Sequence, residues 1–156
     1  MNIQRIFLAT GLLVAGIVAV GAALQNRARA QPTLLWQDVA VVSRGQAIYE
    51  EYCASCHGAT MAGQPDWRER RADGRLPAPP HDETGHTWHH PDDVLFALTK
   101  FGPAAMVGGG YESDMPAFLG VLSDDDIAAA LAYIKSTWAP EVRDAHDEIN
   151  RRAAER

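Results

Sequence analysis

The sequence contains only two cysteines, Cys53 and Cys56, so no other thiol is available to pair with either. The pair could form a disulfide, a thioredoxin-like redox couple, half of a zinc site, or a covalent link to a cofactor. A zinc site would need a second ligand pair at short spacing, and none follows. A redox couple would need strands on either side, whereas the flanking sequence has a helical pattern. These absences favour the covalent link.

Basic residues are scarce after the first 30 positions. The net charge is −6, and beyond residue 30 there are 11 basic and 20 acidic side chains. Such a domain repels phosphate backbones, so we expect no nucleic-acid binding. The acidity is explained equally by solubility and by docking to a basic partner.

A strand-like alternation of apolar and polar residues is missing, and apolar residues recur instead at helical spacing. The pattern therefore predicts an all-α fold with long connecting loops. We expect the three core helices to begin at Ser43 (with Gln46 in a capping box), at Pro91 and at Ser123. Residues 59–88 and 104–120 are predicted to be loops, and a charged helical tail with little core to bury follows Pro140.

The N-terminal segment contains a 19-residue apolar run, 6–24, that is long enough to cross a bilayer as a helix. The sequence Ala28-Arg29-Ala30 also fits a signal-peptide cleavage site. We therefore expect residues 1–30 to be a membrane anchor, with cleavage after Ala30 as the alternative. A connector, 31–43, would join this segment to a domain over 44–139 and a tail over 140–156.

The segment Cys53-Ala54-Ser55-Cys56-His57 has the spacing required for covalent haem attachment. Each thiol can form a thioether with one haem vinyl group, and a helical turn places both on one side. His57 then lies where its ring nitrogen can bind the iron. The motif predicts one covalently bound c-type haem.

A haem with one histidine ligand either takes a second axial ligand or keeps an open site for chemistry. Met61 is only four residues from His57 and would have to cross to the opposite face, while Met106 lies in a glycine-rich stretch and stays possible. Met115 is followed by Pro116, which stiffens the backbone beside the sulfur. We expect His57 and Met115 to be the axial ligands.

The sequence resembles class I c-type cytochromes over about residues 44–138. The resemblance is carried by the haem motif and by three later segments, Met115-Pro116-Ala117-Phe118, Leu122-Ser123-Asp124 and Ala130-Leu131-Ala132-Tyr133-Ile134. It implies three core helices and long loops wrapped around one haem. It also implies that the first and last core helices cross, with Gly45 and Tyr49 against Ala130 and Tyr133.

The resemblance further implies a proline carbonyl that accepts a hydrogen bond from the second nitrogen of His57, supplied by Pro79 or Pro80. Trp88 is a candidate hydrogen-bond donor to a haem propionate, with loop packing as the alternative. Tyr111 is a further candidate haem-binding residue. A cluster of arginines in the first loop is expected to be solvated surface rather than a propionate or partner contact: Arg68, Arg70, Arg71 and Arg75.

With both axial positions filled, one-electron transfer is the remaining chemistry, so we expect an electron carrier and not an enzyme. It would dock weakly to redox proteins, without a small-molecule substrate, on the periplasmic side of a bacterial inner membrane or in the periplasm after cleavage. Two alternatives stay open. One is a haem enzyme or gas sensor with an open distal site, where His81, His86, His89, His90 or His146 acts as acid or base. The other is a dedicated subunit of a dehydrogenase or oxidase.

Overall fold

Helices supply the regular structure of residues 33–156, the part of the chain that the computed structural model describes. The helices are α1 (Val39–Tyr52), α2 (Ala54–His57), a 3-10 turn (Thr87–His89), α3 (Asp92–Phe101), α4 (Pro103–Val107), α5 (Asp124–Thr137) and α6 (Pro140–Ala154). In this range the β pairing is one isolated bridge, between Leu119 and Leu122. The predicted all-α fold is confirmed.

The N-terminal expectations fall largely outside the described residues. The apolar run 6–24 and the cleavage site after Ala30 both lie there. No helix within residues 33–156 has the length and apolar character needed to cross a bilayer.

The centre of the fold is the crossing of α1 and α5. Gly45 lies so close to the partner backbone that a Cβ there would be 2.0 Å from the carbonyl oxygen of Ala129. One turn later Tyr49, which is almost completely buried, meets Tyr133 edge to face, with ring centroids 5.6 Å apart. The crossing is the predicted one, except that Gly45 packs against Ala129 rather than Ala130.

Helix capping explains where the core helices begin. The carboxylate of Asp38 accepts hydrogen bonds from the amides of Ala40 and Val41, so α1 begins at Val39. The predicted start at Ser43 is therefore wrong, and Ser43 lies inside the helix on its exposed side. Ser123 caps α5 in a reciprocal capping box with Asp126, as the sequence indicated.

The second core helix and the loop after it differ from the prediction in two details. α3 begins at Asp92, one residue after Pro91, which is its N-cap. The stretch predicted as loop 104–120 includes the end of the short helix α4, because Pro103 at its first turn suits a helix start.

The C-terminal helix α6 buries more than its charged sequence suggested. His146 is completely buried, lies edge-on to Trp138 at 5.0 Å between ring centroids and donates through Nε2 to the carbonyl of His90 at 2.9 Å. Lys135 of α5 is also buried and pairs with Asp147. α6 is the helical tail that the sequence predicted, and His146 is its buried residue.

Replacement of Gly45 by alanine tests the close crossing of α1 and α5. The added methyl group would overlap the Ala129 carbonyl, so the helices must separate, and we expect a loss of about 1–3 kcal/mol in the free energy of unfolding. Chemical denaturation followed by far-UV circular dichroism measures this. Ser43→Ala, on the exposed side of the same helix, is the control and should change the value by less than about 0.5 kcal/mol. Equal effects would contradict the crossing.

The burial of His146 predicts a pH-dependent stability. Burial lowers the pKa of His146, and Lys135 adds to this while Asp92 and Asp147 oppose it. The unfolded chain therefore binds a proton more readily than the folded one, and stability should fall as the pH drops below about 6.5. His146→Phe keeps an aromatic ring beside Trp138 but does not titrate. Its free energy of unfolding should fall less than that of the wild type between about pH 7.5 and about pH 5. An equal fall in both proteins would contradict this role.

Candidate haem-attachment site

The two cysteines lie on one tight helical turn at the end of α1. The carbonyl of Cys53 accepts from the amide of Cys56 at 3.1 Å and from that of His57 at 2.9 Å, which folds the motif into α2. Neither cysteine forms a disulfide; Cys53 is half-buried and Cys56 is exposed. Burial raises the pKa of the Cys53 thiol to about 11. The Cys53 thiol is therefore not the activated thiolate of a redox pair, and the helices on both sides of the motif lack the strands of a thioredoxin-like site.

His57 is held with one ring nitrogen occupied and the other available. Its side chain is buried, 6% exposed, and Nδ1 donates to the carbonyl oxygen of Pro79 at 2.8 Å. Burial lowers the pKa of His57, which favours the neutral ring. A neutral imidazole with a proton on Nδ1 presents its lone pair at Nε2, as a metal ligand must.

Of the two adjacent prolines, Pro79 is the one whose carbonyl contacts His57. The carbonyl of Pro80 instead accepts from the Thr87 hydroxyl at 3.4 Å. Gly63 and Gly85 allow this segment to pack tightly, because a Cβ at either would lie within 2.5 Å of the Pro80 backbone.

His81 is a site residue that the sequence analysis considered only as a distal acid or base. Its ring stacks on that of His57, with centroids 3.9 Å apart and planes at 22°. Nδ1 lies 2.8 Å from the Thr87 hydroxyl, and the backbone carbonyl accepts from the indole of Trp138 at 2.7 Å. In the sequence, the one indication that His81 would stack on His57 is that it directly follows the proline pair.

The three candidate methionines have different surroundings. Met61 is 4% exposed; its sulfur lies 3.3 Å from the Thr137 hydroxyl, and its carbonyl accepts from the amide of His81. Met61 is thus enclosed in the core, with its backbone beside that of His81. Met106, on α4, is 45% exposed. Met115 is half-buried and packs against the hydrophobic core, and its amide donates to the Ser113 hydroxyl.

The other predicted haem contacts are engaged within the protein. The indole nitrogen of Trp88 donates to the carbonyl of Glu83 at 3.3 Å, which favours loop packing over a propionate contact. Tyr111 is half-buried, with the Arg70 guanidinium 5.8 Å from its ring centroid. Arg71 and Arg75 are not simply solvated, because both pair with Asp114.

The residues present fit a covalently bound haem. Two free thiols share one turn, and the neighbouring histidine is neutral, buried and oriented through Nδ1. Apolar side chains that are only partly covered pack around the same core: Cys53, Trp88, Phe96, Met115 and Leu122. No three His, Cys, Asp or Glu side chains of residues 33–156 converge to hold a bare metal ion. Fold and site together define a c-type cytochrome domain.

Comparison with protein families agrees with this class. Residues 40–134 match the family described as cytochrome c oxidase, cbb3-type, subunit III, and the chain belongs to this family. Searches among curated proteins and among solved structures gave no match.

Membership of this family confirms the prediction of a c-type cytochrome domain that transfers electrons. The chain has a cytochrome c domain, a kind of domain that binds c-type haem covalently, and its two free cysteines, Cys53 and Cys56, are consistent with such a site. It is an electron-transfer module and not an enzyme in itself, and it works either as a carrier or as the cytochrome subunit of an oxidase.

Proposed function

We propose that this protein is a one-electron carrier in which His57 and Met115 would be the two protein ligands of the haem iron. The observation that carries the proposal is the hydrogen bond from His57 Nδ1 to Pro79, because it leaves Nε2 free and orients the ring. Met115 is preferred as the second ligand because Met61 is enclosed beside His81, whereas Met106 is exposed on α4.

The bound haem supplies a centre that gains and loses one electron. The residues around it set how easily it does so. The soft thioether of Met115 favours the ferrous state and raises the reduction potential. Pro79 holds the proton at Nδ1 and keeps the His57 ring in one orientation. Apolar side chains such as Phe96 and Leu122 limit the access of water, which disfavours the additional charge of the ferric state.

Docking to redox partners would use the surface around the Met115 segment. Large apolar side chains are exposed on α3, α4 and the loop before α5: Phe101, Met106, Val107, Leu119 and Val121. An apolar patch of modest size is typical of a weak, short-lived electron-transfer complex. The proposed partners are redox proteins, and neither nucleic acid nor a small-molecule substrate is expected to bind.

The proposed location is the periplasmic side of a bacterial inner membrane, with residues 6–24 as the anchor. An apolar run of 19 residues suits a membrane span better than the shorter hydrophobic region of a signal peptide. An anchor would confine the domain near membrane partners and raise its effective concentration there.

A second candidate is a dedicated cytochrome subunit of an oxidase. The family match favours it, because the family is described by an oxidase subunit. Unlike a carrier, a dedicated subunit would remain bound to its complex during purification.

Removal of the sulfur of Met115 tests the ligand pair. Met115→Ala should lose the far-red sulfur-to-iron absorption band of the ferric protein, and its ferrous form should bind carbon monoxide, because an axial position becomes open. Optical spectra of the oxidised and reduced protein measure both effects. Met106→Ala is the matched control and should keep the wild-type spectrum. Loss of the band in Met106→Ala with its retention in Met115→Ala would overturn the assignment, and ready binding of carbon monoxide by the wild type would indicate an open distal site.

The fate of the N-terminal segment is tested by comparing the full chain with a variant that begins at Gln31 behind a cleavable signal. The full chain should fractionate with membranes and retain residues 1–30 by intact mass, whereas the shortened chain should be released with the periplasm. If the product of the full-length gene begins at Gln31, the anchor is contradicted.

Copurification distinguishes the carrier from the dedicated subunit. If the detergent-solubilised full chain copurifies in a fixed ratio with oxidase subunits, the dedicated subunit is favoured over the carrier.

A further inference from the structure

Asp114, the residue before Met115, holds two arginines of the first loop. One carboxylate oxygen accepts from Arg71 Nη1 at 2.8 Å, and the other accepts from Arg75 Nη1 at 2.8 Å. The two arginines are fixed relative to each other, because the amide of Arg71 donates to the carbonyl of Arg75. Both carboxylate oxygens are thus engaged by one preformed turn.

The same arginine turn is linked to the segment that orients His57. Arg71 Nη2 donates to the side-chain oxygen of Gln64 at 2.7 Å. That oxygen also accepts from the amide of Ala78 at 2.9 Å, and Ala78 immediately precedes Pro79. A continuous set of hydrogen bonds therefore connects Asp114 to the residue beside the Pro79 carbonyl.

The Met115 segment has a long-range attachment on each side. After Met115, the amides of Phe118 and Leu119 donate to the carbonyls of Thr99 and Lys100 on α3. Before it, the glycine run 108–110 lies in open space, with positive φ at each residue. On this side Asp114 is held by Arg71 and Arg75 at 2.8 Å, closer than the 3.5 Å approach of Glu112 to Arg75, so its contacts attach the N-terminal side of the segment most directly.

We propose that Asp114 is a positioning residue that keeps Met115 in place by tying its segment to the Arg71–Arg75 turn. The proposal rests on the proposed function, in which the Met115 sulfur binds the iron. Asp114 acts by limiting how often the segment swings away, and it does not touch the haem iron itself. The pairs are about 40% exposed, so each contributes modestly and their strength depends on salt.

The test measures how readily ferric protein binds added imidazole, which can enter only when the Met115 sulfur leaves. Asp114→Asn should bind imidazole about three- to tenfold more tightly, because the open state becomes more populated. Added sodium chloride should tighten binding in the wild type, because it screens the ion pairs, but should have little effect on Asp114→Asn. Glu112→Gln is the matched control, since Glu112 is exposed and lies 3.5 Å from Arg75 Nε; it should change the affinity less than about twofold.

The variant Arg71→Gln/Arg75→Gln gives an independent measure of the same contacts. Alone it should tighten imidazole binding at least as much as Asp114→Asn does, because it also removes the contacts with Gln64 and Glu112. The triple variant should then show little change beyond the double arginine variant, because the contacts of Asp114 are already lost there. Wild-type affinity and salt dependence in Asp114→Asn, or fully additive effects in the triple variant, would overturn the role of Asp114. If Met115→Ala itself leaves imidazole binding unchanged, the proposed ligand pair fails instead.

Discussion

The hydrogen bond between His57 Nδ1 and the carbonyl of Pro79 is the constraint on which the site depends. A histidine directly after Cys56 can point in several directions, and this one contact determines both its tautomer and its ring plane. The contact requires the Pro79 segment to pass close to α2. Gly63 and Gly85 make that possible, because any side chain at these positions would collide with the backbone of the proline pair.

Around this contact lies a buried layer of aromatic side chains that pack against one another. His81 stacks on His57, its carbonyl is held by Trp138, and Trp138 is covered by His146 from α6. Burial keeps the pKa of His81 well below its usual range, with a further contribution from His57. Neutral stacked imidazoles avoid the repulsion that two charged rings would create inside the fold. The histidine ligand is thus supported from elements far apart in the chain.

Local rules explain what the sequence could predict. The haem motif lies on one turn and Ser123 directly precedes α5, so short-range spacing was enough for both. The crossing at Gly45 and Tyr49 was instead an implication of the family resemblance. The start of α1 was misplaced because Asp38 and Ser43 are both good capping residues, and the residues between them show little periodicity. Ala129 and Ala130 are equally small, so residue size could not distinguish which of them meets Gly45.

Long-range contacts account for what the sequence could not predict. Asp114 meets arginines about forty positions earlier, and no periodicity relates the two segments. The charged tail looked solvated because it has few apolar residues, and a single histidine gave no sign that it would be buried. The choice between Pro79 and Pro80 required the path of the loop, which composition does not specify.

The burial of His146 against Trp138 also links the last helix to the haem motif. His81 stacks on His57, Trp138 donates to the carbonyl of His81, and His146 of α6 packs against Trp138. The surroundings of the histidine ligand are therefore completed by a helix at the far end of the domain sequence. Shortening the chain before α6 would uncover Trp138 and weaken this support, although it would leave the motif itself intact.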